Sequence, residues 1–132
     1  IVASKETAAV IRNSFGRKFS LESPKDPMFP KTKKFEIVKD EYTISDGEME
    51  AKIINVGKNP HVEGMLTVYL PNQKILYQSD LFEPKKNFPN PARVPVMKWF
   101  VEWLDKSGLK PEKIYAIHHH YHKYPNDLHP LR

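Results

Sequence analysis

Cysteine is absent from the 132 residues. That excludes disulfides and thiolate metal ligands, so any bound metal must rest on imidazole and carboxylate, and the redox compartment is left open. Histidine is absent from the whole first part of the chain: none precedes His61. Long hydrophobic runs are missing too. No stretch approaches the roughly 20 apolar residues of a membrane helix, and the N-terminus lacks the charged start and apolar core of a signal peptide, so no membrane partner is expected. No internal repeat is visible.

What is present is ordinary globular material. A hydrophobic fraction of 39% with 11% aromatics suits one modest domain and not a disordered segment. The net charge of +5 raises the question of nucleic acid. Its distribution argues against it: Lys31, Lys33, Lys34, Lys85 and Lys86 sit in Pro-containing loops without the interleaved aromatics that stack bases. They read as solvated loop charge, and no nucleic-acid partner is expected.

Ile1 to Ser4 reads as a short strand passing into a helix, with Ser4 as N-cap and Glu6 favourable in the first turn. Ala8, Ala9, Ile11 and Phe15 give that helix a narrow apolar side. Pro24, Pro27 and Pro30 among lysines make Gly16 to Lys34 an irregular surface excursion. Strands are expected around Phe35 and Ile37, around Tyr42 and Ile44, and from Met49 to Val56, with a turn at Asp46-Gly47. Pro84 to Pro95 reads as loop. Val96, Met97, Phe100, Val101 and Leu104 then recur at helical spacing, ended by Gly108 and Pro111. Trp99 and Trp103, one turn apart, read as core or interface packing in preference to substrate stacking. A short apolar strand, Ile114 to Ile117, ends at His118.

The richest stretch is NPHVEGMLTVYLPNQKILYQSDLF, from Asn59 to Phe82. Met65 to Leu70 and Lys74 to Gln78 are apolar and β-branched, with a turn at Pro71-Asn72, so the segment should fold as an antiparallel hairpin. His61 before it and Asp80 after it would then return to one edge of a sheet.

These residues, with His118 closing a later strand after a helix, resemble the third and later metal-ligand motifs of the metallo-β-lactamase superfamily. The family's first motif, HxHxDH, has no counterpart here. The resemblance therefore implies an α+β fold: one αβ layer, the C-terminal half, of the αββα sandwich, a mixed sheet with flanking helices. It spans residues 1–118, with 119–132 a His-rich tail. It further implies a zinc-dependent hydrolase in which His61 completes the first metal site, Asp80 bridges two ions and His118 binds the second, so that metal-bound hydroxide attacks an ester, amide or lactone centre of a small-molecule substrate. Zinc lowers the pKa of a bound water towards neutrality, and imidazole and carboxylate suit its near-tetrahedral shell. One or two zinc ions are expected in the intact domain, and weak or absent zinc in this chain alone.

Each residue also has a plainer reading. His61 could be an exposed loop residue and Asp80 a turn residue, although a carboxylate closing an apolar strand is costly to bury unpaired. The family has glycine after its last His, whereas this chain continues His119, His120, Tyr121, His122, a cluster that can capture a transition metal adventitiously. Glu63 could serve as a general base, with solvent exposure or a contact to a metal ligand from outside as the plainer alternatives. Two function classes stay open. One is a metal-dependent hydrolase whose isolated chain has an incomplete site, the other a non-catalytic metal-binding or assembly module. In either, the strands around Ile53, Ile54, Leu66, Val68, Ile75 and Tyr77 should offer an apolar face to a missing N-terminal half or to a second copy.

Overall fold

The computed structural model describes residues 1–14, 34–83 and 94–117, together with the backbone of His119–Lys123. The expected excursion from Gly16 to Lys34, apart from Lys34 itself, nearly all of the loop from Pro84 to Pro95, Phe15, His118, the side chains of His119 to Lys123 and the tail from Tyr124 lie outside these residues.

The chain starts with β1 (Val2–Ala3) and α1 (Lys5–Ser14). Ser4 is the N-cap the sequence calls for: its Oγ accepts the Thr7 backbone N–H at 3.2 Å. Among the described residues of the apolar side expected for α1, only Ala8 is buried. β1 pairs in parallel with β2 (Glu36–Ile37). The remaining strands form one six-stranded sheet in chain order: β3 (Glu41–Ser45), β4 (Glu50–Asn55), β5 (Leu66–Leu70), β6 (Ile75–Gln78), β7 (Lys113–Ala116) and β8 (His119–Lys123). Pairing is antiparallel except between β6 and β7, which run parallel because α2 (Val94–Ser107) lies between them in the chain. The sheet is mixed, as the α+β reading requires.

Local chemistry sets the connections. In the β3–β4 turn, Asp46 Oδ1 accepts the Glu48 and Met49 N–H groups at 3.0 and 2.7 Å. These bonds hold its carboxyl below the usual carboxylate range. The β5–β6 turn takes four residues, Pro71 to Lys74, and not the Pro71-Asn72 pair alone. Lys74, expected to open the strand, instead adopts φ +52°. Its carbonyl accepts the Glu112 N–H at 2.7 Å and its Nζ meets Glu112 Oε1 at 2.7 Å, tying this turn to the entry of β7. α2 begins two residues before the apolar repeat, taking Pro95 into a first turn where a missing N–H costs nothing. It ends at Gly108, whose φ of +72° suits a C-terminal glycine.

The core lies on one face of the sheet. Val96, Met97, Phe100, Val101 and Leu104 of α2 pack on Tyr69, Leu76 and Ile114 from the strands and on Leu81 and Phe82 from the segment after β6. Trp99 and Trp103, stacked at 6.4 Å, lie partly buried against this cluster, which favours packing over substrate stacking. The opposite face follows from the register, in which Tyr42 pairs with Ile53, Ile53 with Val68, Val68 with Tyr77 and Tyr77 with Tyr115. All five are at least partly exposed. Ile54 does not join them. Opposite Thr67 in the ladder, it faces the helix and packs on the core, because a period-2 strand sends neighbours to opposite faces. The sheet also continues past the expected boundary at residue 118: the backbone of 119–123 pairs with β7 across an irregular register between Ile114 and Ala116.

Candidate metal centre

Two loops bring the central pair together. The first, from Val56 to Met65, joins β4 to β5 and carries His61; the second follows β6 and carries Asp80. His61 Nε2 stands 3.9 Å from Asp80 Oδ2, each side chain about one third exposed. That is too long for a hydrogen bond. Two donors bound tetrahedrally to one zinc at about 2.0–2.1 Å lie about 3.4 Å apart, about half an ångström closer than this pair, so the two side chains would draw together on an ion; an imidazole nitrogen and a carboxylate oxygen are the donor types it takes. Ser79 Oγ donates to the same Asp80 Oδ2 at 2.8 Å.

The carboxylate is accessible and not sealed in the core, so the sequence argument from the cost of burying it does not apply in that form. Proximity to His61 is what distinguishes Asp80. Glu63 points elsewhere: its Oε1 meets Lys58 Nζ at 3.0 Å with both side chains largely exposed, in line with the solvent-exposed reading. Among the described residues, no three His, Asp or Glu side chains gather as a metal site. His118 lies outside them.

Two buried amides hold the loops, and the sequence reading did not single out either. Asn59 Oδ1 accepts the backbone N–H groups of His61 and Val62 at 2.9 and 3.0 Å, while its Nδ2 donates to the Gly57 carbonyl at 3.1 Å. Gln78 Oε1 accepts the Leu81 and Phe82 N–H groups at 2.9 and 3.0 Å, and its Nε2 donates to the Phe82 carbonyl at 2.8 Å. A sequence signal existed for each. Asn two residues before His61 is an Asx-turn pattern, and Gln78 shares strand parity with buried Leu76, where an apolar residue is the rule. Gly64 completes the first loop by close approach: a Cβ there would come within 2.9 Å of Glu6 Oε2 on α1.

No family model matches the sequence, and no curated protein does. Solved structures do match. A metallo-beta-lactamase from Pontibacter korlensis superposes with a TM-score of 0.63 at 20% identity, over 98% of this chain and 55% of its own. The chain carries the metallo-β-lactamase fold. The flavodiiron core of Flv1 from Synechocystis sp. PCC6803 gives a TM-score of 0.64 at 16% identity, over 99% of this chain and 34% of its own. Rubredoxin oxygen:oxidoreductase from Desulfovibrio gigas gives 0.62 at 15%, over 99% and 35%. The chain thus spans about half the length of the first and about a third of the other two. Within the metallo-β-lactamase fold, the His61 and Asp80 loops occupy one end of the β4–β5–β6 segment of the sheet, after β4 and after β6.

Proposed function

We propose that this chain supplies part of a metallo-β-lactamase-like, zinc-dependent hydrolase site, in which His61 and Asp80 are metal ligands and His118 is a third. The observation that carries the reading is the 3.9 Å approach of His61 Nε2 to Asp80 Oδ2 on a fold shared with metallo-β-lactamases. Bound zinc would supply an activated water near neutral pH and polarise an ester, amide or lactone-type centre. The chain's own residues do the rest. His61 offers a neutral nitrogen lone pair, Asp80 offers an anionic oxygen, and the Ser79 hydroxyl occupies one side of that oxygen and limits how the carboxylate can turn.

A set of two or three ligands divided between two ions holds metal weakly, since affinity depends on a complete, preorganised shell. The isolated chain should accordingly bind zinc less tightly than a full dinuclear site and hydrolyse little. A small-molecule substrate belongs to the intact domain. Completion would come from an N-terminal half, or from a second copy, seated on the apolar sheet face that carries Ile53, Val68 and Tyr77. Calorimetry with zinc tests the ligands. His61→Ala and Asp80→Ala should each lower affinity; if neither does while removing His118 to His122 abolishes binding, this site is not the one in use. Chelator-sensitive turnover of a lactam, lactone or ester by the purified chain, lost in Asp80→Asn, would refute its incompleteness.

A second reading is a non-catalytic metal-binding or assembly module derived from the same fold, in keeping with the partly exposed apolar sheet face that carries Ile53, Val68 and Tyr77. Restored hydrolysis on adding a chain that contains HxHxDH would decide against it.

A further inference from the structure

We infer that Asn59 and Gln78 are positioning residues that set the His61–Asp80 pair, each by gathering into one buried amide the backbone groups of the loop that bears its partner. The inference rests on the reading of His61 and Asp80 as metal ligands for its importance, but its geometry stands without metal.

The two amides work in the same way. Each is nearly inaccessible, with 8% of Asn59 and 3% of Gln78 exposed, and each uses both ends of its side chain on nearby backbone. Asn59 draws the His61 and Val62 N–H groups onto one oxygen, and its own N–H donates to the Val62 carbonyl at 3.1 Å. The His61 Cα is therefore fixed from both sides. Gln78 closes a tighter ring: β6 ends at this residue, and the chain wraps around its amide so that Leu81 and Phe82 return their polar groups to it. Leu81 and Phe82 are themselves fully buried in the core. Asp80 is thus the partly exposed crest of a turn whose two flanks are anchored, one by the β6–β7 ladder and one by apolar packing. An alkyl side chain at 78 would leave two buried N–H groups and a carbonyl to find partners, and the turn would have to open towards water to satisfy them.

The consequence is a division of labour between two pairs. His61 and Asp80 present donors, while Asn59 and Gln78 determine where those donors stand. Outer partners of this kind typically change metal affinity by about 10- to 100-fold when removed. Charge plays no part, since both amides are neutral, so the effect should not follow ionic strength.

The test uses the whole chain, with zinc alone as the probe, and reads two quantities. One is zinc affinity by calorimetry; the other is the proton NOE between the His61 ring and the Asp80 β-protons in the zinc-free protein. Gln78→Leu and Asn59→Ala should each weaken zinc about tenfold or more and lose that cross-peak while still melting cooperatively. Asn59→Ser, whose hydroxyl can accept the same N–H groups, should recover most of the affinity and the cross-peak. A merely structural role would lower the melting temperature of all three and leave the cross-peak in place. Parent-like zinc binding with an intact cross-peak in Gln78→Leu and Asn59→Ala overturns the inference. Should Gln78→Leu fail to fold, the Asn59→Ala and Asn59→Ser pair carries the same two outcomes. If zinc binding by the parent proves indifferent to Asp80→Asn, the ligand reading falls by itself and the cross-peak still decides whether the amides position the pair.

Discussion

The two faces of the central sheet are built from the same strands and have opposite fates. On one, Leu76 and Ile114 are fully buried against Met97, Phe100 and Leu104 of α2 and Phe82 of the segment after β6. On the other, Ile44 and Tyr77 keep 48% and 44% of their surface exposed, and Tyr77 and Tyr115 stack at 5.2 Å. Alternation along a strand guarantees two distinct faces but does not say that both will be covered. Only the face with a covering element stabilises the chain by itself. An apolar face left open is of the kind that marks interaction sites.

The comparison is most sharply tested from the covered side. Phe100→Ala removes a ring that touches both Phe82 and Trp103 and should cost about 3–5 kcal/mol in denaturant unfolding; a loss below about 1 kcal/mol would mean that α2 is not the cover. The open side should respond in association before stability. Ile44→Lys combined with Tyr77→Lys should weaken self-association, or capture of an N-terminal half, about tenfold or more, as one unpaired charge in an apolar contact is worth more than a factor of ten. The unfolding free energy of the monomer should stay within about 1 kcal/mol. Sedimentation velocity across micromolar concentrations reads the first quantity. A protein monomeric throughout that binds no hydrophobic dye would show that the open face needs no partner.

Smaller effects test the frame that holds the faces in place. Gly108→Ala forces a side chain onto a φ of +72° at the end of α2 and should cost about 1 kcal/mol in a thermal melt. The pH response should be smaller still. Asp46 is held below its ordinary value of 3.8 by the Met49 and Glu48 N–H groups. Its stabilising contribution to the β3–β4 turn is therefore complete above about pH 4 and fades as the pH falls through the lowered value. Asp46→Asn should flatten that part of the acid-unfolding curve, and an unchanged curve would show that the turn does not depend on this carboxylate.

Much of the frame was legible beforehand because its signals are local. Ser4 as a cap, the Asp46 turn, the hairpin between Leu66 and Gln78 and the α2 repeat all rest on side chains acting within four residues of themselves. Lys74 reads as strand in the sequence because its own carbonyl's role, receiving Glu112 and Lys113 of the distant β7 entry, leaves no trace in its neighbours. Ile54 matches Ile53 in composition but not in face, since adjacent strand residues must part.

The sequence by itself determined the alternation of the strands, the apolar stripe of α2 and the presence of one imidazole and one carboxylate at the two ends of a hairpin unit. Tertiary structure decided that α2 covers the face bearing Leu76 and Ile114, and that His61 Nε2 meets Asp80 Oδ2 across 3.9 Å. It also decided that Asn59 and Gln78 bury their amides to hold that meeting. The physical reason is range: capping, turn and periodicity energies act between neighbours in the chain, whereas the choice of face and the approach of two loops depend on contacts between residues far apart in sequence, formed only once the sheet has closed.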